Sequence, residues 1–374
     1  MNRTVSFVIP CYKLGHLLSE CIHSILAQTY QDFEVLIMDD DSPDDTERVA
    51  KLFTDPRVKY IRNQANLGNL RNYNKGICLA AGKYIWLISA DDRLKMPYVL
   101  ERYVRLMEEH LKVGYVFCPA VRLEDDREGE VIDYSYRGPK DQILEGRAFM
   151  AQLLFEGCTV VAPCGMARKE CYEKVSLFPL DLPWGGDWYL WCIFALHYDA
   201  AYLAEPMVYY RRHGGSMTEA LVTQQVRHCA ESDVEVLRRL LLKAEEAGAR
   251  LLATKCREAM ADQYAKNITT RNYRASASSQ QYTMTLPEFE DSVRQVARNP
   301  REAEVIRAQT FARAADRYYW QGDSGGALDF YRRALRMDFM MPAVWMKYLL
   351  LRLGKFGALG RAGLLNFRRL ARRS

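Results

Sequence analysis

The stretch Tyr84-Ile85-Trp86-Leu87-Ile88-Ser89-Ala90-Asp91-Asp92 constrains this chain more than any other. Its aromatic and β-branched run is too short for a typical helix and lacks polar alternation. It predicts a strand buried on both faces. Ionised carboxylates are too costly to desolvate inside such a strand, so Asp91 and Asp92 are expected where it ends. In an open α/β sheet the carboxyl ends of the strands form the ligand-binding rim. Two hard oxygen ligands at that rim suit Mg²⁺ or Mn²⁺, which commonly carries a phosphate. The same pair would equally serve as a solvated turn or a helix N-cap before Met96-Pro97.

A length of 374 residues implies roughly two to three domains. Apolar and charged contents of 49% and 26% are those of a globular protein. No segment approaches the ~18 uninterrupted apolar residues of a membrane span. The N-terminus runs straight into a strand pattern, so no signal peptide is expected. The ten cysteines are scattered, with no C-x-x-C. That points to reduced thiols in the cytoplasm rather than to a disulfide framework or a zinc site. The net charge of +5 is unevenly placed. Residues 339–374 hold eight Lys or Arg and no acid. A basic balance confined to the tail argues against nucleic-acid binding by the main body.

Strand patterns at residues 5–9, 33–38, 58–61 and 84–89 alternate with helical patterns at 17–28, 46–53 and 69–81. Pro10 stops the first strand, and Gly82 closes the last helix. Such alternation predicts an α/β fold with a doubly wound, mostly parallel sheet. Right-handed crossovers put the carboxyl ends of its parallel strands on one rim. Pro10-Cys11-Tyr12, Asp39-Asp40 and Asp91-Asp92 are therefore expected to converge. Further on, residues 113–123 read as one strand, 130–134 as its hairpin return, and 146–155 as a helix. Residues 160–167 read as an edge or bulged strand because of Pro163.

The order and spacing of several short motifs resemble the family 2 glycosyltransferases, which have the GT-A nucleotide-diphosphosugar fold. The matching residues are Val8-Ile9-Pro10-Cys11-Tyr12, Ser24-Ile25-Leu26-Ala27-Gln28-Thr29-Tyr30, Ile37-Met38-Asp39-Asp40-Asp41-Ser42, Asn66-Leu67-Gly68, Asn74-Lys75-Gly76, and Gly82-Lys83-Tyr84-Ile85 leading into Asp91-Asp92. The resemblance covers roughly residues 3–215. It implies that Pro10 and Tyr12 line the nucleotide base and that Asp40 accepts a hydrogen bond from it. It implies that Asp92 ligates a Mn²⁺ or Mg²⁺ bridging the diphosphate, and that Asp91 contacts the ribose or holds the loop. Three positions depart from the family pattern. Ser89 stands where an acid is common, Asp41 where glycine is usual, and Tyr73 where an arginine is usual. An Arg sits instead at 71, leaving open which side chain faces the diphosphate.

Trp184-Gly185-Gly186-Asp187-Trp188 is a second chemical stretch. Asp187 reads as the N-cap of a helix over 188–196. The resemblance also implies a catalytic base at the start of a helix after a loop, and the two roles are compatible. Gly185 and Gly186 permit close backbone approach, and Trp184 and Trp188 offer faces on which a sugar can stack. The third stretch, Tyr209-Tyr210-Arg211-Arg212-His213-Gly214-Gly215, ends a strand pattern over 206–212. Its His213 reads either as a structural histidine or, by the resemblance, as a completing metal ligand. Arg211 or Arg212 is a candidate bidentate donor to a diphosphate.

After Thr218 the strand patterns stop. Residues 220–247 and 250–268 read as long amphipathic helices, and 274–285 as a loop or linker. The spacing of Gly322, Ala327, Tyr331, Ala334 and Pro342 resembles a tetratricopeptide repeat, with a generic helical bundle as the alternative. Residues 344–373 read as a basic amphipathic helix, suited to an anionic membrane surface or to packing. The expected organisation is a catalytic domain over 1–218, a helical linker region over 219–299, and a TPR-like helical region over 300–374. The expected activity is inverting transfer of a sugar from a nucleotide-sugar, UDP-linked by preference, to a hydroxyl of a glycan, lipid-linked or protein acceptor. Bacterial surface polysaccharide or glycoconjugate synthesis is the expected setting. A sugar nucleotidyltransferase would need a Gly-rich loop after the first strand, where Pro10-Cys11-Tyr12-Lys13-Leu14-Gly15 stands. A non-catalytic scaffold acting through its helices would be expected to have lost Asp91, Asp92 or Asp187. The expected location is the cytoplasm, with the basic C-terminus as a contact to the inner face of the plasma membrane and the helical region as a contact to a protein partner.

Overall fold

The computed structural model describes residues 4–124, 127–274 and 279–353. Two compact units emerge, Met1–Leu221 with Lys243–Leu252, and Val222–Leu242 with Ala253–Ser374. The first half of the first unit runs β1 (Val5–Cys11), α1 (Gly15–Leu26), β2 (Phe33–Asp39), α2 (Thr46–Ala50), β3 (Val58–Arg62), α3 (Asn69–Leu79), β4 (Tyr84–Leu87), β5 (Arg93–Leu94) and α4 (Val99–Glu109). It continues with β6 (Val113–Phe117), β7 (Ala120–Glu124), β8 (Arg127–Val131), β9 (Gln142–Leu144), α5 (Gly146–Glu156), β10 (Met166–Arg168), α6 (Lys169–Lys174), α7 (Gly186–His197), β11 (Asp199–Tyr202), β12 (Val208–Arg211) and α8 (Met217–Gln224).

Eight strands form one sheet in the order β3-β2-β1-β4-β10-β6-β11-β9. The β1–β2, β2–β3 and β1–β4 pairings are parallel. This doubly wound half follows from β-branched runs with no polar face: every residue of β1 and β2 is buried. Trp86 of β4 stacks between Phe7 at 5.4 Å and Tyr103 at 4.4 Å, and its indole N–H donates to the Pro163 carbonyl at 2.8 Å. Gly76 lets α3 lie against β1, since a Cβ there would stand 2.4 Å from Val8 Cγ1. A smaller sheet, β5-β12-β7-β8, flanks the larger one.

Four readings of the sequence need correction. Residues 113–123 are two strands in different sheets, because Pro119 cannot donate to a ladder and the chain turns there. Residues 160–167 hold a 3₁₀ turn at Ala162–Cys164 before β10. β10 is not an edge strand but lies antiparallel between β4 and β6. Pro163 is accommodated because it falls in the turn, outside the ladder. The single helix expected over 220–247 is split into α8 and α9 at Gln225. The expected linker over 274–285 includes a strand of a short hairpin, β13 (Arg271–Arg274) with β14 (Ser279–Tyr282).

The second unit is helical apart from that hairpin. Its elements are α9 (Val226–Glu246) and α10 (Arg250–Ile268), each shared with the first unit, then α11 (Leu286–Val296), α12 (Pro300–Trp320), α13 (Ser324–Met337) and α14 (Pro342–Arg352). Thr285 and Glu288 make a reciprocal capping box at the start of α11. Asn299 and Asp323 cap α12 and α13 through their side chains. Phe289 packs on Tyr264 and Phe311 with ring centroids 5.1 and 5.5 Å apart. The basic segment beyond Leu353, including most of the expected amphipathic C-terminus, lies outside the described residues.

Candidate active site

The rim is built by register. The backbone N–H of Asp40 donates to the Cys11 carbonyl at 2.9 Å, and that of Ala90 donates to the Pro10 carbonyl at 3.3 Å. The ends of β1, β2 and β4 are thereby laced together, with Asp40 on one side of β1 and Asp91-Asp92 on the other. Tyr12 stands at the edge of this rim, 38% exposed, while Pro10 is buried in β1. Asp41 takes the left-handed conformation (φ 59°), so an Asp does here what glycine would do.

Asp40 is buried and heavily engaged. One of its oxygens accepts from Asn63 Nδ2 and Leu67 N, both at 2.8 Å, and the other from Gly68 N at 2.9 Å. A carboxylate has about four acceptor sites, so the geometry leaves room for one more donor. Asp40 thus pins the Asn66-Leu67-Gly68 turn that opens α3. Arg71 is exposed on α3, on the flank that carries Lys75, which reaches Asn63 at 2.6 Å. It lies two residues from Tyr73 and so on a different side of the helix.

Asp91 and Asp92 have different partners. Asp92 is 3% exposed, and its Oδ1 accepts from the Arg211 backbone N–H at 2.9 Å. Burial, then the charge of Asp91, pushes its carboxyl well above the usual range, against the pull of Arg211. Asp91 Oδ2 lies 2.9 Å from His213 Nε2. Asp91 Oδ1 is buried with no hydrogen-bond partner. His213 therefore contacts Asp91 rather than Asp92. Among the described residues no three His, Cys, Asp or Glu side chains form a ready cage for a metal ion.

Arg211 holds this corner. Its Nε donates to the Asp91 carbonyl at 3.0 Å, and its guanidinium pairs with Glu20. It is buried and occupied by these partners, unlike a side chain open to a diphosphate.

Asp187 sits in the first turn of α7, after Gly185 in the left-handed conformation (φ 81°). It is not the N-cap: that position is Gly185. Asp187 Oδ1 accepts from Trp188 N at 2.8 Å, and Oδ2 from the Cys158 thiol at 3.5 Å. Burial raises its carboxyl above the usual aspartate range. The glycine the turn requires is Gly185. A Cβ on Gly186 would make only ordinary contact, 3.6 Å from Phe178 Cδ1. Trp188 corrects another expectation. It is 3% exposed and its indole N–H donates to the Leu153 carbonyl at 2.9 Å, so it is a core residue with no face for a sugar. Trp184 is half-buried.

Two tyrosines join these acids. Tyr73 is raised by burial first and then by the charges of Asp91, Asp187 and Asp92, so all three carboxylates lie within electrostatic reach of its phenol. Its ring packs edge-on against Phe178 at 5.5 Å. The next residue, Asn74, fixes the same loop twice, donating to the Phe178 carbonyl at 2.8 Å and accepting from its N–H at 3.0 Å. Tyr210 is pushed up to about 12, mainly by burial and then by Asp92 and Asp91. Sequence reasoning noted Tyr73 only as a missing arginine and gave Tyr210 and Cys158 no role.

Residues 6–175 match the family model described as Glycosyl transferase family 2. They form a family 2 glycosyltransferase domain. An uncharacterised glycosyltransferase of Nostoc sp. PCC 7120 is 29% identical over 243 residues, 62% of this chain and 72% of that protein. Glycosyltransferase GlyG of Streptococcus pneumoniae is 33% identical over 115 residues, 30% of this chain. An uncharacterised protein of Mycobacterium tuberculosis is 38% identical over 122 residues, 33% of this chain. The match spans only 38% and 37% of the length of those last two relatives. In fold, residues 1–349 of TarS from S. aureus, crystallised with UDP-GlcNAc, superpose with a TM-score of 0.60 at 16% identity, covering 89% of this chain and 91% of that one. The similarity to TarS therefore includes the helical second unit as well as the GT-A sheet. No helix among the described residues is long and apolar enough to cross a membrane.

Proposed function

We propose that the chain is an inverting glycosyltransferase that moves a sugar from a nucleotide-diphosphosugar to a hydroxyl acceptor, with the first unit as its catalytic domain. The observation that supports the reading is that Asp91, Asp92 and Asp187, drawn from distant parts of the sequence, all lie within electrostatic reach of one buried side chain, the Tyr73 phenol. Asp187 takes the proton of the acceptor hydroxyl, which attacks the anomeric carbon opposite the departing diphosphate. Burial favours this role, because a base with a raised pKa takes a proton more readily at neutral pH. Tyr12 and the remaining acceptor site of Asp40 face the base of the nucleotide, and Arg212 faces its phosphates. A UDP-sugar is the preferred donor, in keeping with the ligand of TarS.

Asp91 and Asp92 are the residues that would hold Mg²⁺ or Mn²⁺. They fit one: Asp91 Oδ1 is buried and unpartnered, and Asp92 is buried beside a like charge. One or two carboxylates suffice where phosphate oxygens and waters complete the shell. When bound, the metal neutralises charge growing on the leaving diphosphate. The acceptor is a hydroxyl of a glycan, lipid-linked or protein substrate in surface polysaccharide or glycoconjugate synthesis.

The test is a thermal-shift screen of UDP-, GDP- and dTDP-sugars with and without Mn²⁺. A ligand that binds only the folded state raises its melting temperature. A metal-dependent rise with a UDP-sugar, absent in Asp92→Asn, is expected. No rise with any donor, in either metal condition, would remove the assignment.

A further inference from the structure

Asp187 is held from two elements. Its Oδ1 accepts from the Trp188 N–H of its own helix, α7, at 2.8 Å. Its Oδ2 accepts from the Cys158 thiol at 3.5 Å, and Cys158 lies just past the end of α5. Sulfur's large radius makes that a hydrogen-bonding distance, although a thiol is a weak donor. With the Trp188 N–H alone the carboxylate would pivot about one oxygen. The thiol fixes the second.

The sulfur is itself held in place. Gly157 ends α5 with φ 83°, a conformation that favours glycine, and turns the chain into Cys158. Thr159 and Val160, which follow, are buried. Arg137 donates to Glu156 Oε2 and Thr159 Oγ1, both at 3.2 Å, on either side of the turn. The Trp188 indole N–H ties the start of α7 to the Leu153 carbonyl of α5 at 2.9 Å. The turn that carries the thiol and the turn that carries the carboxylate are therefore joined.

Cys158 has one proton and two acceptors. Besides Asp187 Oδ2, its thiol reaches the Val160 carbonyl at 3.3 Å. An ionised carboxylate is the stronger acceptor. Once protonated it loses that advantage, and the carbonyl takes the thiol. The other titratable groups in electrostatic reach of the pair are the phenols of Tyr73, Tyr134 and Tyr115 and the Cys192 thiol. Burial pushes the three phenols up, so they are neutral at neutral pH, and the cations that act on them are Arg212 and Arg137. The carboxylate whose charge acts on the Cys158 thiol is Asp187.

We propose that Cys158 is a positioning residue for the Asp187 base. Its thiol proton points to Asp187 Oδ2 while the carboxylate is ionised. It turns to the Val160 carbonyl once Asp187 has taken the proton of the acceptor hydroxyl. No bond to sulfur is made or broken. The proposal rests on the reading of Asp187 as the base.

The first measurement needs no substrate. Alkylation of the full chain by iodoacetamide is followed by peptide mass mapping at neutral and mildly alkaline pH, in wild type and Asp187→Asn. The thiolate is the form that reacts. A like charge close by suppresses ionisation about tenfold, and a thiol that ionises more readily is a weaker nucleophile. Half-buried Cys158 should therefore label about threefold faster in Asp187→Asn. Exposed Cys78 should label equally in both proteins, and buried Cys192 should stay unlabelled while the fold is intact. Equal labelling of Cys158 in the two proteins would overturn the proposal, because the thiol would then belong to Val160.

The second measurement is the pH profile of UDP release from UDP-GlcNAc with Mn²⁺. Loss of the thiol makes Asp187 harder to ionise. The acid limb of kcat in Cys158→Ala should move to higher pH, with kcat on that limb about fivefold lower and KM unchanged. Cys158→Ser keeps a donor and should restore the limb. An unmoved limb in Cys158→Ala beside an inactive Asp187→Asn would overturn the proposal and leave the base standing. Wild-type release by Asp187→Asn would remove the base, and the proposal with it.

Discussion

Replacing Asp187 by Asn separates its chemistry from its place in the fold. Asparagine keeps an oxygen for the Trp188 N–H at 2.8 Å and nearly the same volume, so the first turn of α7 is retained. It cannot take a proton. A positioned general base contributes about 10²–10⁴-fold, or about 3–5 kcal/mol of barrier. Transfer should fall by that factor while the donor still binds. Asp187→Ala also removes the Trp188 hydrogen bond and should cost about 0.5–1.5 kcal/mol of stability. The effect of Asn on stability has the opposite sign. Burial raises the folded-state pKa of Asp187 above that of the unfolded chain. Such a carboxyl helps folding fully only below its unfolded pKa, and that help is lost as pH rises through the folded value. At neutral pH the wild type holds a poorly solvated charge that Asn lacks. Asp187→Asn should therefore melt higher than wild type at neutral pH, with the gap closing as pH falls into the ordinary aspartate range. The wild-type rate should decline with falling pH sooner than an ordinary carboxylate would dictate. The assays are melting curves against pH, product formation from a labelled nucleotide-sugar, and donor binding. Wild-type transfer by Asp187→Asn would refute the base, and a lower melting point at neutral pH would refute the burial argument.

Two further predictions concern other parts of the molecule. Glu302, 8% exposed, is held down to about 2 chiefly by hydrogen bonds from Arg298, with help from Arg257. Its stabilisation is present above the unfolded pKa and lost as pH falls through about 2. With Arg298 half-exposed, Glu302→Gln should cost about 1–2 kcal/mol at neutral pH. It should cost almost nothing below the folded value, as read from urea unfolding of the full chain. Arg211→Ala removes the bond to the Asp91 carbonyl and the pairing with Glu20, yet keeps the backbone N–H that holds Asp92. Metal-dependent donor binding should weaken about tenfold, the equivalent of one lost hydrogen bond to a charged group. Unchanged binding by calorimetry would show that the Asp91 loop stands without it.

The parts of the fold that were legible were those in which one physical demand dominates the local sequence. β1, β2 and β4 are continuous apolar runs, and nothing but a strand buried on both faces explains them. The acids that follow had to leave the sheet, which placed Asp40, Asp91 and Asp92 on the rim. The second half of the domain was read less well because its strands are short and their partners distant. β10 is three residues long, and its antiparallel place between β4 and β6 depends on pairings across about 80 and 50 residues of chain. The break at Cys118-Pro119 carried a usable signal, since a proline cannot sit inside a central strand. β13 and β14 are polar strands with no apolar alternation to reveal them. Trp188 and Trp184 look alike in sequence; only the packing of α7 on α5 separates a core indole from a half-buried one.

The site also shows why its least legible residues matter. Asp91 and Asp92 emerge from the large sheet, but β12 of the small sheet fixes them: Arg211 N on Asp92, Arg211 Nε on the Asp91 carbonyl, and His213, just beyond, on Asp91 Oδ2. Asp92 is buried beside the Asp91 carboxylate and resists ionisation, so an unsupported loop would turn it out to water. Holding them by donors that reach only three of their oxygens or carbonyls leaves Asp91 Oδ1 buried and free. A cation entering there gains a ligand without first breaking a protein hydrogen bond. Under the proposed function the small sheet would therefore serve donor binding even where its own side chains never touch the donor.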